Sequence, residues 1–325
     1  MIRYAARRLA LAIPTLLGIT LVTFAVIRLA PGDPAMAGEG RGGTLTLSPE
    51  TYARLSAAYG LDRPAWRQYV AWLWDLLRMD FGRSFHDGRP VADKIAERLP
   101  VTLLLAGGAA FLSLSFSIPI GLLSAARRGG VFDRLAGIVL YALYSVPRYV
   151  MAMVLICLVG VEWGWLPFYG STSEGFADLP WLGKTGDLLR HFTLIVVCFT
   201  YPLVAYQARF VRANLLEVMG QDFIRTARGK GLREWTVITR HAMPNTLIPL
   251  ITMLGLLLPS LLGGSVILET MFGWPGLGQL MFAATLQRDY STVMGLTVVT
   301  ASLVLLGTLL TDLAYAAADP RVRYE

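Results

Sequence analysis

The stretch GQDFIRTARGKGLREWTVITRHAMPN, Gly220–Asn245, is basic and polar, yet it lies between two of the most apolar runs of the chain. Gln221–Arg228 can form a short helix, and Gly229 to Gly231 breaks it. Leu232, Trp235, Ile238 and Thr239 then share one face of a second helix, which Pro244 ends or kinks. The stretch predicts a helix, a glycine turn and another helix, with a basic outer face. An ordinary charged loop between membrane spans is usually shorter and needs no tight turn. A rigid, protruding helix pair suits a protein that receives a mechanical push from a soluble partner.

The flanking sequence reads as membrane. Of 325 residues, 55% are hydrophobic and 16% charged, against about 25% charged in a soluble domain, and the mean hydropathy is +0.54. On so apolar a chain the net charge of +7 reads as an orientation signal rather than a nucleic-acid footprint. Cys157 and Cys198 both lie in apolar runs, where they read as buried thiols rather than a disulfide or zinc site. Runs of about 20 apolar residues predict six spans: Leu9–Ala30, Val101–Ala126, Leu135–Val161, and, approximately, Phe192–Val211, Leu247–Leu268 and Val293–Ala316. Pro14, Pro119, Pro147, Pro202 and Pro259 fall inside them, and a bilayer tolerates this because neighbouring helices satisfy the freed backbone groups.

Short loops set the orientation. Arg3, Arg7 and Arg8 at the N-terminus share one side with Arg127, Arg128 and Arg134. Arg212, Arg225, Arg228, Lys230, Arg233 and Arg240 fall on that side too, as do Arg321 and Arg323. It should be cytoplasmic, with both termini on it. The opposite short loops hold only Lys184, Arg190 and Arg288, and the segment from Pro31 to Pro100 is long enough to translocate despite its arginines. The first apolar run is longer than a signal-peptide core, so it reads as an uncleaved anchor rather than a leader cut near Ala35–Ala37. In the long outer segment, Ser48-Pro49-Glu50 has the form of a helix start, and Tyr69, Trp72, Leu73, Leu76 and Leu77 recur at helical spacing. A small extracytoplasmic cap on the membrane is expected, with docking of an outer partner as its functional alternative.

Chemistry is sparse. Gly183-Lys184-Thr185 ends like a phosphate-binding loop, but Asp178 stands where the pattern requires glycine. His86, His191 and His241 lie in separate segments without metal-ligand spacing and read as solvated or interfacial. No serine sits in a nucleophile elbow. Glu269 and Asp312 near span ends read as helix-end contacts, and the spans otherwise read as nearly free of ionisable groups. An ion-driven transporter keeps an acid near mid-membrane, and an intramembrane enzyme needs a catalytic pair there. Energy for a transport cycle therefore enters from outside the membrane, and a passive channel or scaffold is the remaining rival.

At these residues the sequence resembles a known family. Binding-protein-dependent ABC importer permeases carry a cytoplasmic Glu-Ala-Ala motif, a glycine four residues on, and a Leu-Pro pair about a dozen further. Here Arg225 stands at the glutamate, Thr226-Ala227 at the alanines, Gly231 at the glycine and Met243-Pro244 at Leu-Pro. TARGKGL is similar to the TARAKGL of the dipeptide/oligopeptide/nickel branch, differing at Gly229. PGDP (Pro31–Pro34), DFGRSF (Asp80–Phe85), RLPVTLLLA (Arg98–Ala106), ETMFGWPGLG (Glu269–Gly278), RDY (Arg288–Tyr290) and DPRVRY (Asp319–Tyr324) follow in the same order. Any one string is weak; their joint order spans essentially the whole chain and resembles the B-type permease subunit.

The resemblance implies an all-α membrane protein with the type I ABC importer permease fold: six transmembrane helices and a small extracytoplasmic helical insertion after the first. Residues 1–30 would form the cytoplasmic tip and first helix, 31–96 the cap, 97–316 the core with its coupling loop at 213–245, and 317–325 a cytoplasmic tail. It implies a multi-pass protein of the bacterial inner membrane. Its partners would be a second homologous permease, two cytoplasmic ABC ATPase subunits and an extracytoplasmic substrate-binding protein, with no nucleic acid. The chain would be no enzyme and hold no cofactor, ATP and Mg being bound by the ATPases. Coupling to them would fall to Asp222, Arg225, Thr226, Ala227, Arg228, Gly229, Lys230, Gly231, Leu232 and Arg233, with Ala227 and Gly231 the tightest positions and Met243-Pro244 closing the motif. Small peptides would be the cargo, with nickel chelates, glutathione, haem or sugars as alternatives; the substrate-lining residues are not legible.

Overall fold

The computed structural model describes residues 2–29, 63–246, 249, 250, 253 and 265–318. The PGDP and DPRVRY strings, the helix start at Ser48 and most of the fifth predicted span lie outside these residues. Among the described residues every regular element is helical. In chain order they are α1 (Ile2–Leu29), α2 (Ala65–Leu77), α3 (Val91–Ala126), α4 (Val131–Ser145) and α5 (Arg148–Leu155, continuing as a π-helix over Ile156–Glu162). There follow α6 (Trp181–Met219), α7 (Asp222–Gly229), α8 (Glu234–Thr236, continuing as a π-helix over Val237–Ala242), α9 (Val266–Met271), α10 (Leu277–Leu286) and α11 (Tyr290–Ala318).

Four of these helices are long and apolar enough to cross a membrane: α1, α3, α6 and α11. The third predicted span is not one helix. Its two arms, α4 and α5 with its π-helical extension, meet at a bend of 97°. Pro147 supplies no amide hydrogen and drives the preceding residue out of the helical region, and Val146 accordingly sits at φ −83°, ψ 123°. The Val146 carbonyl freed by the break accepts a 2.6 Å hydrogen bond from the Tyr201 hydroxyl of α6.

α3 and α6 form the centre. Lipid tails are as apolar as leucine, so helices in a bilayer associate through close backbone packing and interhelical hydrogen bonds rather than hydrophobic expulsion. The buried stripe of α3 is small-sided for that reason: Thr102, Ala106, Ala109, Ser113, Ser117, Gly121 and Ser124. At Gly121 a β-carbon would come within 2.6 Å of the Ala208 carbonyl oxygen, so only glycine fits. One turn away Ser117 Oγ donates to Gln207 Oε1 at 3.1 Å. Around this seam Leu105, Leu194, Ile195, Phe199, Ala152, Leu268, Phe272 and Trp274 form the largest apolar cluster.

Two polar knots tie distant segments to the frame. Asp289, fully buried, accepts from Ser84 Oγ at 2.5 Å, from the Phe85 amide at 3.0 Å and from Thr292 Oγ1 at 2.6 Å. Lys94 Nζ lies 3.4 Å from Asp289 and 3.0 Å from Asp87. The RDY and DFGRSF strings, about two hundred residues apart, thus fasten the start of α3 to the start of α11. Glu269, also fully buried, accepts from the amides of Ser265 and Gln279 at 3.1 and 2.8 Å. It sits over the first turn of α10, where free amides and the helix dipole favour negative charge. At the opposite end of the frame Arg8 pairs with Asp312 at 3.2 Å, joining α1 to α11.

The α2 helix offers Tyr69, Trp72, Leu73 and Leu76 on its half-buried face, as the spacing predicts, while Leu77 is exposed. It packs along α1, with Tyr69 Oη 2.9 Å from Thr20 Oγ1 and the Phe24 ring against Tyr69 and Trp72. One turn of α2 therefore meets the middle of the first span. Cys157 is exposed and Cys198 buried, both free thiols.

Replacing Asp289 by alanine removes the acceptor of Ser84 and Thr292 and one of the two carboxylates beside Lys94. Because Lys94 keeps Asp87, the expected loss is about 2 kcal/mol, below that of an orphaned buried ion. The thermal midpoint of the detergent-purified protein reads it out, with exposed Asp222→Ala as the control that leaves the midpoint in place.

Candidate functional site

The opening stretch folds as α7, a turn and α8. Alternating exposure along α7 sorts its residues: Ile224 and Ala227 are buried, while Asp222, Phe223, Arg225, Thr226, Arg228, Gly229 and Lys230 are exposed. The turn lies at Lys230-Gly231. Gly229 is the last helical residue, so it does not break the helix. Gly231 does, at φ +76°, in the left-handed region that residues with a β-carbon enter only at a cost of about 1–2 kcal/mol. The space around Gly231 is open, so glycine is required there for conformation, not for close approach. Its amide donates to the Arg228 carbonyl at 2.9 Å, closing the end of α7.

The buried face of α8 is Val237, Ile238 and Ala242. Leu232 precedes the helix and, like Trp235, is exposed, so the face expected from spacing is only half realised. Pro244 neither ends nor sharply breaks α8, because helical backbone continues to Thr246. The π-helical widening over Val237–Ala242 relieves the clash between the proline ring and the carbonyl one turn back. Met243 is half-buried and Pro244 and Arg233 are exposed.

The two arms are cross-braced. Arg228 donates from Nε and Nη2 to the two carboxylate oxygens of Glu234 at 3.0 and 2.6 Å, a bidentate geometry that fixes orientation as well as distance. That hydrogen bond holds the Glu234 carboxyl below its usual 4.5. A lowered carboxylate contributes stability that is complete above its usual value and fades as pH falls through the lowered one, so the brace is intact across the neutral range. Arg225 lies 3.3 Å from Asp222 on the same helix.

The pair is anchored from beneath. Ile224 and Ala227 of α7 and Val237, Ile238 and Ala242 of α8 form one buried cluster with Ala125 at the end of α3 and Leu215 near the end of α6. Ala227 is therefore tight against this chain's own frame. Outward, Phe223 is 41%, Leu232 39% and Trp235 54% exposed, on a segment that also exposes Arg225, Lys230 and Arg233. Phe223 went unnoticed in the sequence because a lone aromatic amid charges carries no periodic signal.

Other candidates resolve differently. Gly183-Lys184-Thr185 lies in the first turn of α6, a helix and not a phosphate loop. His191 is buried rather than solvated; its Nδ1 donates to the Gly170 carbonyl at 2.9 Å, and its Nε2 is 3.1 Å from Ser173 Oγ. Asp187 accepts from the hydroxyl and amide of Ser173 at 2.6 and 2.9 Å, not from the imidazole nitrogen that a hydrolytic triad requires. These groups clasp the 163–180 loop to α6. Among the described residues no three or more His, Cys, Asp or Glu gather as for a metal ion. The spans are less free of charge than they read: Arg148 follows the bend at Pro147, and Arg209 lies within the fourth predicted span.

Comparison with known proteins matches residues 117–324 to the binding-protein-dependent transport system inner membrane component family and residues 1–106 to the N-terminal model of the same component. The chain is 39% identical over its whole length to the full dipeptide transport system permease protein DppB of Escherichia coli (strain K12). It is 38% identical, again with all of both chains covered, to the oligopeptide transport system permease protein AppB of Bacillus subtilis (strain 168). Among solved structures, 70% of the chain overlays 96% of a chain of the MetNI methionine ABC transporter with a TM-score of 0.56 at 18% identity, a likeness of fold.

Gly231→Ala should loosen the turn by about 1–2 kcal/mol, whereas Gly229→Ala, in helical backbone with open space, should be neutral or slightly stabilising. Hydrogen exchange over 222–246 reads both: faster for the first, unchanged or slower for the second.

Proposed function

The chain belongs to the family of binding-protein-dependent transport system inner membrane components, and on that premise we propose that it is the membrane-spanning permease subunit of an ATP-driven importer of small peptides. Full-length similarity to dipeptide and oligopeptide permease proteins carries the cargo class. The type I ABC importer permease fold and the anchored helix pair carry the mechanism. The chain is a transport component, and ATP hydrolysis falls to partner subunits.

In this reading α7, the turn and α8 are the coupling element, received in a cleft on one of the two cytoplasmic ATPases. Phe223, Leu232 and Trp235 supply the apolar contact, and Asp222, Arg225, Thr226, Arg228, Lys230 and Arg233 the polar rim. Gly229 ends α7 and Gly231 makes the turn, Ala227 holds the element to this chain, and Met243-Pro244 closes the motif. Arg225 replaces the acidic residue of the general motif, so this rim meets its partner with a cation. Closure of the ATPases around ATP then moves α7 and α8 as one body. Through Ala125 and Leu215 the push reaches α3 and α6 and reorients the spans. Alternating access follows as a population shift, the ATPases binding one arrangement better than the other.

The polarity of the frame supports both termini on the cytoplasmic side. Arg8 and Asp312 bring the first and last helices together at one end, and the Ser84–Lys94–Asp289 knot marks the end of α3 and α11 away from α7 and α8. The cap faces the substrate-binding protein, and the second permease completes the membrane assembly, each of the two permeases engaging one ATPase.

The exposed apolar pair gives the test. Phe223→Ala with Trp235→Ala should leave insertion and thermal midpoint unchanged, yet lower ATP-driven peptide uptake at least tenfold and release the ATPases on purification. Ala227→Asp should lower uptake too, but with faster exchange over 222–246, because it buries a charge. Retained uptake and retained ATPases in the double variant would remove the coupling assignment.

A further inference from the structure

Between α4 and α6 lies an open groove of about 1040 Å³ whose lining includes Tyr141, Tyr206, Arg209 and Arg212. Tyr206, Arg209, Phe210 and Ala213 recur at helical spacing and present one stripe of α6 to it. Arg209 sits within the fourth predicted span, where a charge is expensive unless it faces water, a cavity or a partner. Its Nε donates to the Ala205 carbonyl at 3.0 Å. Its guanidinium carbon stands 4.2 Å from the ring centre of Tyr141 and 4.9 Å from that of Tyr144. Stacking on two rings holds the guanidinium in place, and among the described residues its terminal N–H donors have no acceptor.

The groove's one acid is already engaged. Asp133 accepts from Arg212 Nε and Nη2 at 2.6 and 2.8 Å, and from the Gly129 amide at 2.9 Å. Arg134 and Arg209 then leave an excess of positive charge, and among the described residues no carboxylate pairs with Arg209. A planar guanidinium with free terminal donors fits a carboxylate two-pronged. On a small peptide the carboxylate present whatever the sequence is the one at its C-terminus. Aromatic walls accept side chains of varied shape without polar selection, and the volume is that of a small-ligand site.

We propose that this groove is a station on the peptide's path, where Arg209, held on Tyr141 and Tyr144, receives the C-terminal carboxylate of the passing substrate. The inference rests on the peptide-importer reading and deepens it. A cation held by rings rather than by a fixed counter-ion attracts the carboxylate and also lets it leave.

The test uses the whole importer, with receptor, second permease and ATPases, in proteoliposomes. The probes are labelled Ala-Phe and a dipeptide ending in photoreactive benzoylphenylalanine, as free acid and as amide. Arg209→Gln should cut Ala-Phe uptake at least tenfold with the receptor-set KM unchanged, and Arg209→Lys by no more than about threefold. The free-acid probe should cross-link within 138–144 or 206–213, and the amide and the Arg209→Gln importer should lose that cross-link. Equal cross-linking of acid and amide, cross-linking elsewhere, or unchanged uptake in Arg209→Gln overturns the proposal. So does loss of the second permease from Arg209→Gln on purification, since the arginine's partner is then a carboxylate of that subunit. An unmutated importer without ATP-dependent uptake of Ala-Phe instead removes the importer reading itself.

Discussion

Everything mechanical in this protein depends on how closely α3 and α6 approach. With no water to expel, two helices in a bilayer hold together only where their backbones come near and their polar groups find each other. Gly121 against the Ala208 carbonyl, and Ser117 against Gln207, meet both conditions along one seam. The C-terminal ends of the two helices supply Ala125 and Leu215, the floor on which α7 and α8 rest. The helix pair therefore rests on a joint with little give, since packed interiors transmit strain instead of absorbing it.

The helix pair divides its own residues in the same spirit. Ile224, Ala227, Val237, Ile238 and Ala242 face inward and make it part of the frame. Phe223, Leu232 and Trp235 face outward and make it a surface. Arg228 and Glu234 stop the two arms from hinging against each other at the turn that Gly231 makes possible. Anchoring, bracing and outward exposure thus fall to three separate groups of residues.

Much of this was legible in the sequence because the governing physics is local. Four of the six apolar runs mark where long helices lie, though α3 and α6 extend well beyond theirs, and the helix-turn-helix of 220–245 follows from a glycine between amphipathic pieces. What escaped was non-local or diluted. Pro147 looked tolerable inside an apolar run, and nothing nearby announces that Tyr201, fifty-odd residues later, would cap the corner it makes. Ser84, Lys94 and Asp289 share no sequence neighbourhood, so their knot is invisible before folding. Arg209 vanished into an average, since one charge hardly lowers the apolarity of a twenty-residue window. His191 read as wet because the loop that covers it carries no pattern of its own.

The corner at Pro147 has a geometric consequence for the surrounding lipid. A 97° bend leaves the two arm axes nearly perpendicular, so they cannot both stand upright. At least one must lean about 40° or more from the bilayer normal, the outer limit of tilt for spanning helices. Wherever such an arm meets lipid, it offers a sloping side instead of an upright one.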